Sequence, residues 1–206
     1  MSKKDKQLQI LAKYLPEEFV NNIHEQLTTY PLDFKIVKPR KTKLGDYRYD
    51  PRLPRPVITV NSDLNPFQFL VTTVHELAHF HAFRKFGNRI KAHGKEWQGE
   101  YRRLSMPYID SAQLPKTLEA AWLDSLVSVK ASSCSDPKLV KVLRSFSPQK
   151  EGLVSLDELP QQAIFVLNGK EFEKGTLRRK RYLCTETTSN KIYLISSTAE
   201  VEYKTK

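Results

Sequence analysis

His75-Glu76-Leu77-Ala78-His79 constrains this chain more than any other segment. On an α-helix four residues advance about 400°, so the two imidazoles lie about 40° apart, one turn above the other. Both can then reach one Zn²⁺ at about 2.0–2.1 Å. Glu76 falls about 100° round the helix from His75 and about 60° from His79. It can lean toward an attacking water without taking a ligand position, as a general base must. The flanks supply the helix that this geometry needs. Asn65-Pro66 offers an N-cap followed by proline at the first helical position, and Gly87 offers a stop. Between them Phe67, Leu70, Val71, Val74, Leu77, Ala78 and Phe83 recur at helical spacing, which predicts a largely buried helix of about twenty residues. Two histidines and a carboxylate inside such a helix are costly unless a metal or hydrogen bonds satisfy them.

A catalytic zinc usually takes three protein ligands and keeps one open position. The chain has five histidines. His81 lies about 240° from His75, nearly on the opposite face, and reads as a packed or hydrogen-bonded residue. His24 sits in an amphipathic N-terminal stretch without ligand-like neighbours. His93 remains, in Ala92-His93-Gly94-Lys95-Glu96-Trp97, where a second helix begins. Gly94 is expected to free the backbone there, and Trp97 to anchor the new helix. A metzincin would carry Gly at 82 and His at 85, but the chain has Ala82 and Lys85, which excludes that class. A gluzincin would recruit a downstream glutamate, for which Glu96 and Glu100 compete. Three imidazoles also make a common catalytic zinc set, which favours His93.

His75-Glu76-Leu77-Ala78-His79, a fourteen-residue step to His93-Gly94, and then Trp97 resemble the SprT-like metallopeptidases, the family that includes the Spartan proteases. Arg40-Lys41-Thr42-Lys43-Leu44-Gly45-Asp46-Tyr47-Arg48, Ile58-Thr59-Val60-Asn61 and Leu64-Asn65-Pro66 fit the same pattern. The resemblance spans roughly residues 8 to 110. It implies an α+β, minimal zincin-type fold with His75, His79 and His93 as ligands of one Zn²⁺ and Glu76 as catalytic base. Eukaryotic members of that family degrade proteins covalently trapped on DNA. Many members also carry a C-terminal zinc ribbon with two Cys-x-x-Cys pairs, from which this chain departs. Its two cysteines, Cys134 and Cys184, form no such pair, so the C-terminal module is expected to be β-rich, ribbon-like and without a structural zinc.

At 206 residues with 39% hydrophobic content, the chain can build one domain plus a small module. Two distant cysteines argue against a disulfide framework and for a reducing compartment. Lys13, Pro16 and Glu17 interrupt any apolar leader, so a cytoplasmic protein with no membrane span is expected. The net charge of +11 favours polyanionic partners. Lys38, Arg40, Lys41, Lys43, Arg48, Arg52 and Arg55 precede the motif helix and interleave with Tyr47 and Tyr49. Arg84, Lys85, Arg89, Lys91 and Lys95 lie between the second and third histidines, and Arg178-Arg179-Lys180-Arg181 forms a third cluster. Arg40, Lys41, Lys43 and Arg48 are the expected phosphate contacts, with the tyrosines stacking on unpaired bases, which points to single-stranded DNA.

The spacing predicts two short helices over 8–28, broken at Pro16, and strands at 34–37 and 57–60. A basic, proline-punctuated loop or irregular hairpin joins the two strands. The second strand is expected to border the cleft with an open edge that an extended peptide can join. Helices are expected at 95–104, 116–130 and 136–146, the first ending near Met106-Pro107. The domain reading is a zincin domain over 1–146, a linker over 147–160 and a β-rich module over 161–206, with strands at 163–167, 177–185 and 192–196. The function expected is a zinc-dependent endopeptidase acting on protein or peptide, associated with DNA. The alternatives are a nucleic-acid-binding protein with a structural or vestigial zinc site, and a zinc hydrolase of a non-protein amide. Glu76 speaks against a purely structural site, which needs no base.

Overall fold

The computed structural model describes residues 2–40, 42–127, 136–148 and 152–203. The chain divides into two compact units, Met1–Phe146 and Ser147–Lys206, each with its own apolar core. Helices and strands mix in an α+β protein, compatible in the first unit with a small zincin-like domain. Among the described residues no helix is long and apolar enough to cross a membrane.

The first unit opens with α1 (Lys3–Leu11), a 3-10 turn (Glu17–Phe19) and α2 (Val20–Thr28). α1 starts earlier than its apolar spacing predicts. Ser2 and Asp5 form a capping box that satisfies the first backbone donors, so a polar turn joins the helix. Pro16 separates the two helices, and Leu15, Phe19, Ile23 and Leu27 carry the pair into the core.

A three-stranded sheet comes next: β1 (Asp33–Val37), β2 (Gly45–Arg48) and β3 (Val57–Asn61), in the order β1-β3-β2. β3 runs parallel to β1 and antiparallel to β2. The strand expected to offer an open edge is therefore the central one, with Ile58 and Val60 fully buried between two neighbours. The outer strand on the side of the motif helix is β2. Gly45-Asp46-Tyr47-Arg48 has a single apolar residue and no alternation, so hydrophobic pattern gives it no strand signal.

Motif helix α3 spans Pro66–Phe86. The Asn65 side chain accepts from Gln68 N–H at 2.9 Å, and Gln68 Oε1 accepts from Asn65 N–H at 3.4 Å. Such a box contributes about 1 kcal/mol. Asn65 Nδ2 also donates to the Leu143 carbonyl at 2.7 Å, tying the start of α3 to the last helix of the unit. Every residue from Phe69 to Ala78 is buried, and Gly87 ends the helix at φ 77°.

α4 (Lys95–Ile109) runs through Pro107 instead of stopping there. A proline in the last turn forfeits one backbone donor, while the turn it sits in buries Tyr108 and Ile109. Tyr108 meets Phe19 edge-on at 5.4 Å and Trp122 face-on at 6.2 Å. α5 (Lys116–Val127) carries Trp122, and the expected continuation to 130 lies outside the described residues, as does Cys134. α6 (Pro137–Ser145) is capped by the Asp136 carboxylate.

The second unit is one antiparallel sheet of six strands, β4 (Leu153–Ser155), β5 (Ile164–Leu167), β6 (Lys170–Arg178), β7 (Arg181–Glu186), β8 (Ile192–Ser196) and β9 (Glu200–Tyr203), in the order β4-β9-β5-β6-β7-β8. The stretch 177–185 is a hairpin rather than one strand. It reverses at Arg179, whose φ is 58°, in a tetrapeptide with none of the residues that usually mark turns. Part of 147–160 is also ordered, because β4 pairs with β9 and Leu156 is buried beneath it. At Asn168-Gly169 both φ values are positive, 52° and 75°, as a tight β5–β6 hairpin of the I′ kind requires. Glu186 links two turns of this sheet. Its carboxylate pairs with Lys170 at 2.8 Å and accepts from Ser189 and Tyr193.

Candidate active site

α3 presents His75 and His79 one turn apart, and the connection into α4 brings His93 to meet them. The three Nε2 atoms form a near-equilateral triangle, 3.2 Å from His75 to His79, 3.0 Å from His79 to His93 and 3.2 Å from His93 to His75. Among the described residues this is the one histidine, cysteine or carboxylate group close enough to hold a metal ion. A neutral imidazole has one N–H, so three ring nitrogens in mutual contact cannot all be paired donor to acceptor. A cation at the centre resolves that conflict. Tetrahedral bonds of 2.0–2.1 Å place ligand nitrogens about 3.3–3.4 Å apart, close to the observed triangle. Burial also keeps the rings neutral. It holds His75 well below its ordinary pKa, lowers His79 to about 3, with His93 adding to the effect, and lowers His93.

Trp97 lies beneath all three histidines. Its ring centroid is 4.7 Å from that of His75, 5.2 Å from His79 and 4.6 Å from His93. It stacks on Tyr101 at 5.0 Å, and the Tyr101 hydroxyl accepts from Trp122 Nε1 at 2.9 Å. The floor of the site is thus continuous with the core, which restricts the rotamers of the histidines above it. The backbone at this point differs from expectation. The left-handed residue is His93 itself, at φ 64°, while Gly94 is extended. Gly94 serves by being small, since a Cβ there would sit 3.0 Å from the Lys91 carbonyl oxygen and 3.1 Å from Glu96. The Gln98 side chain donates to the His93 carbonyl at 3.0 Å and helps hold the strained turn.

The competing ligands are placed elsewhere. Glu100 is buried in ion pairs with Arg103 at 2.7 Å and Lys85 at 3.3 Å, away from the triangle. His81 packs edge-on against Tyr30 at 5.4 Å on the far side of α3. His24 is buried, with its Nε2 3.3 Å from Gln7 Oε1.

Glu76 is buried and held from the side of the sheet. The Tyr47 backbone N–H donates to its carboxylate. Gly45 lies against it so closely that a Cβ would be 2.6 Å from Glu76 Oε1 and 2.8 Å from its Cγ. Burial, with Asp46 nearby, lifts the carboxyl to about 8, against the pull of the Tyr47 amide, Arg40 and Lys43. A dication among the three histidines would act in the opposite direction and favour the ionised carboxylate. Sequence reasoning assigns no role beside Glu76 to Gly45, Asp46 or Tyr47. Neither side-chain chemistry nor periodicity marks a backbone donor or a close approach.

The expected phosphate contacts separate into distinct environments. Lys43 and Arg48 are exposed, Lys43 pairing with Asp46 at 2.8 Å and Arg48 lying 3.9 Å from it. Arg40 directs its guanidinium inward to Asn61 at 2.8 Å and Thr59 at 3.0 Å. Lys41 lies outside the described residues. Tyr47 is not available for stacking on a base. Its ring lies parallel to His79 at 6.3 Å and packs against Phe80 and Phe83, with its hydroxyl enclosed. Tyr49 stays partly exposed with one face on Phe83 at 4.3 Å.

Residues 32–105, just over a third of the chain, match the IrrE N-terminal-like domain of the M78 peptidases. The match covers the sheet, α3, His93 and most of α4, and it supports a metallopeptidase-type domain rather than the SprT-like family in particular. Neither the curated proteins nor the solved structures contain a match.

Proposed function

We propose that this chain is a zinc-dependent endopeptidase, with His75, His79 and His93 as metal ligands and Glu76 as general base. The observation that carries the reading is the convergence of three neutral imidazoles, 3.0–3.2 Å apart, beside a carboxylate fixed by β2. When bound, a zinc ion supplies Lewis acidity toward a carbonyl and brings the pKa of a water near neutrality. The rest falls to the chain. Glu76 takes the proton from the attacking water and returns it to the leaving amine. The Tyr47 amide and the absence of a side chain at Gly45 fix which way the carboxylate faces. The outer edge of β2 offers backbone groups for an extended peptide, the role expected of β3 from the sequence.

The fourteen-residue step to His93-Gly94 and the following Trp97 favour a SprT-like enzyme, and with it protein substrates held on DNA. Lys43, Arg48, the connector cations Arg84, Arg89, Lys91 and Lys95, and the Arg178–Arg181 hairpin are exposed and offer charge for phosphate contact. The test is cleavage of casein or a quenched peptide by the zinc-loaded chain, with and without single-stranded DNA. The expected result is cleavage that a chelator abolishes, that zinc restores and that DNA stimulates less as salt rises. Zinc-independent cleavage, or none, would refute the peptidase reading, and cleavage indifferent to DNA would remove the DNA association alone.

Gly45→Ala probes the contact between β2 and Glu76. A Cβ 2.6 Å from Oε1 must displace the carboxylate or the strand. The expected loss in kcat is about a hundredfold, the scale set by displacing a catalytic group by about 1 Å. Zinc content should stay at the wild-type level, and steady-state kinetics beside metal analysis measures both.

A further inference from the structure

Arg40 and Asn61 form a closed hydrogen-bonded loop at the entry to β2. Arg40 Nε donates to Asn61 Oδ1 at 2.8 Å, and Asn61 Nδ2 returns donations to the Arg40 carbonyl at 3.2 Å and the Lys43 carbonyl at 2.9 Å. Arg40 Nη1 reaches further along β3 to Thr59 Oγ1 at 3.0 Å. Asn61 is 1% exposed, and its own N–H donates to the Leu44 carbonyl at 2.9 Å. One buried asparagine at the end of β3 therefore holds three points of the 40–44 connection, and the guanidinium staples that connection to β3 a second time.

The clamped connection leads straight into the strand that touches the base. Gly45 comes next in the chain and meets Glu76, and the Tyr47 amide donates to it. β2 is a four-residue strand paired on one side, entered and left by exposed segments, which is an arrangement of low intrinsic stability. A basic residue on an exposed loop would be expected in solvent. Here the guanidinium is drawn inward and its Nη2 is enclosed without a partner among the described residues. That desolvation is offset by the two bonds to β3, and it fits a residue kept for placement.

We propose that Arg40 and Asn61 are positioning residues that set β2 against Glu76, and through it the register of a peptide added to its edge. The assignment rests on the peptidase reading for its catalytic consequence and not for the clamp itself. Amide hydrogen exchange of the full-length protein, with and without zinc, reports on β2 directly. Peptide cleavage with kcat and KM separated reports on the consequence. In Arg40→Gln, exchange across 45–48 should accelerate about tenfold or more through local opening. kcat should fall about ten- to a hundredfold with zinc retained, as expected for a misplaced base. Arg40→Lys keeps the charge but cannot bridge Asn61 and Thr59, so it should resemble Arg40→Gln. Thr59→Val removes one acceptor at nearly constant volume and should give a smaller change of the same sign. Should Arg40→Gln fail to fold, Thr59→Val carries the test. Wild-type exchange across β2 in Arg40→Gln, or in Thr59→Val where that carries the test, would overturn the proposal. So would full rescue by Arg40→Lys, which would leave charge alone as the cause. If the wild type cleaves nothing, exchange still decides the clamp and only the peptidase reading falls.

Discussion

Glu76→Gln is expected to keep its fold and its zinc while losing proteolysis by at least about a thousandfold, because base and metal act as a unit. The substitution is close to isosteric, and the site is built to accept it. Glu76 contributes no ligand to the histidine triangle, so the three Nε2 atoms are untouched. An amide retains an oxygen for the Tyr47 N–H, which preserves the link to β2. What disappears is the ability to accept a proton. Metal analysis, circular dichroism and a peptide-cleavage assay on the same preparation separate these effects. Near-wild-type turnover in Glu76→Gln would mean that another group is the base.

His79→Ala has a different signature. One stoichiometric zinc should be lost, and stability with it. A ligand present at about a thousand times its dissociation constant stabilises the native state by about 4 kcal/mol. For a unit of this size that corresponds to a drop in Tm of about 10 °C when the metal is removed. Wild type should show that drop on chelation, and His79→Ala should be indifferent to both chelator and zinc. Removing His79 also forfeits its packing on Tyr47 and Trp97, so the mutant should melt no higher than metal-free wild type. The same comparison separates His93 from Glu100. His93→Ala should behave like His79→Ala. Glu100→Ala should retain zinc, because its carboxylate is already held by Lys85 and Arg103.

The parts of this architecture that are legible in the sequence are those encoded locally. α3 announces itself through its cap at Asn65, its proline, its apolar period and Gly87, and the angular position of His81 removes that residue from the ligand search. His93 emerges from a short inventory of histidines. The parts that stay hidden depend on partners far along the chain. β2 has no hydrophobic alternation, and its identity comes from pairing with β3 and from touching Glu76. Arg40 reads as one cation in a surface cluster until Asn61, twenty-one residues away, claims its guanidinium. Tyr47 reads as an exposed aromatic among charges until Phe80 and Phe83 enclose it. The C-terminal hairpin at Arg179 is missed for another reason. A left-handed arginine carries no local signature, and the turn is imposed by the pairing of β6 with β7.

Anomalous diffraction from crystals of the zinc-loaded protein, recorded on both sides of the zinc edge, tests the central claim most directly. The account predicts a single strong peak per chain, about 2.0–2.1 Å from the Nε2 atoms of His75, His79 and His93, with Glu76 outside bonding distance. A peak shared with Glu100, a second peak in the Ser147–Lys206 unit, or none at the histidine triangle would contradict it.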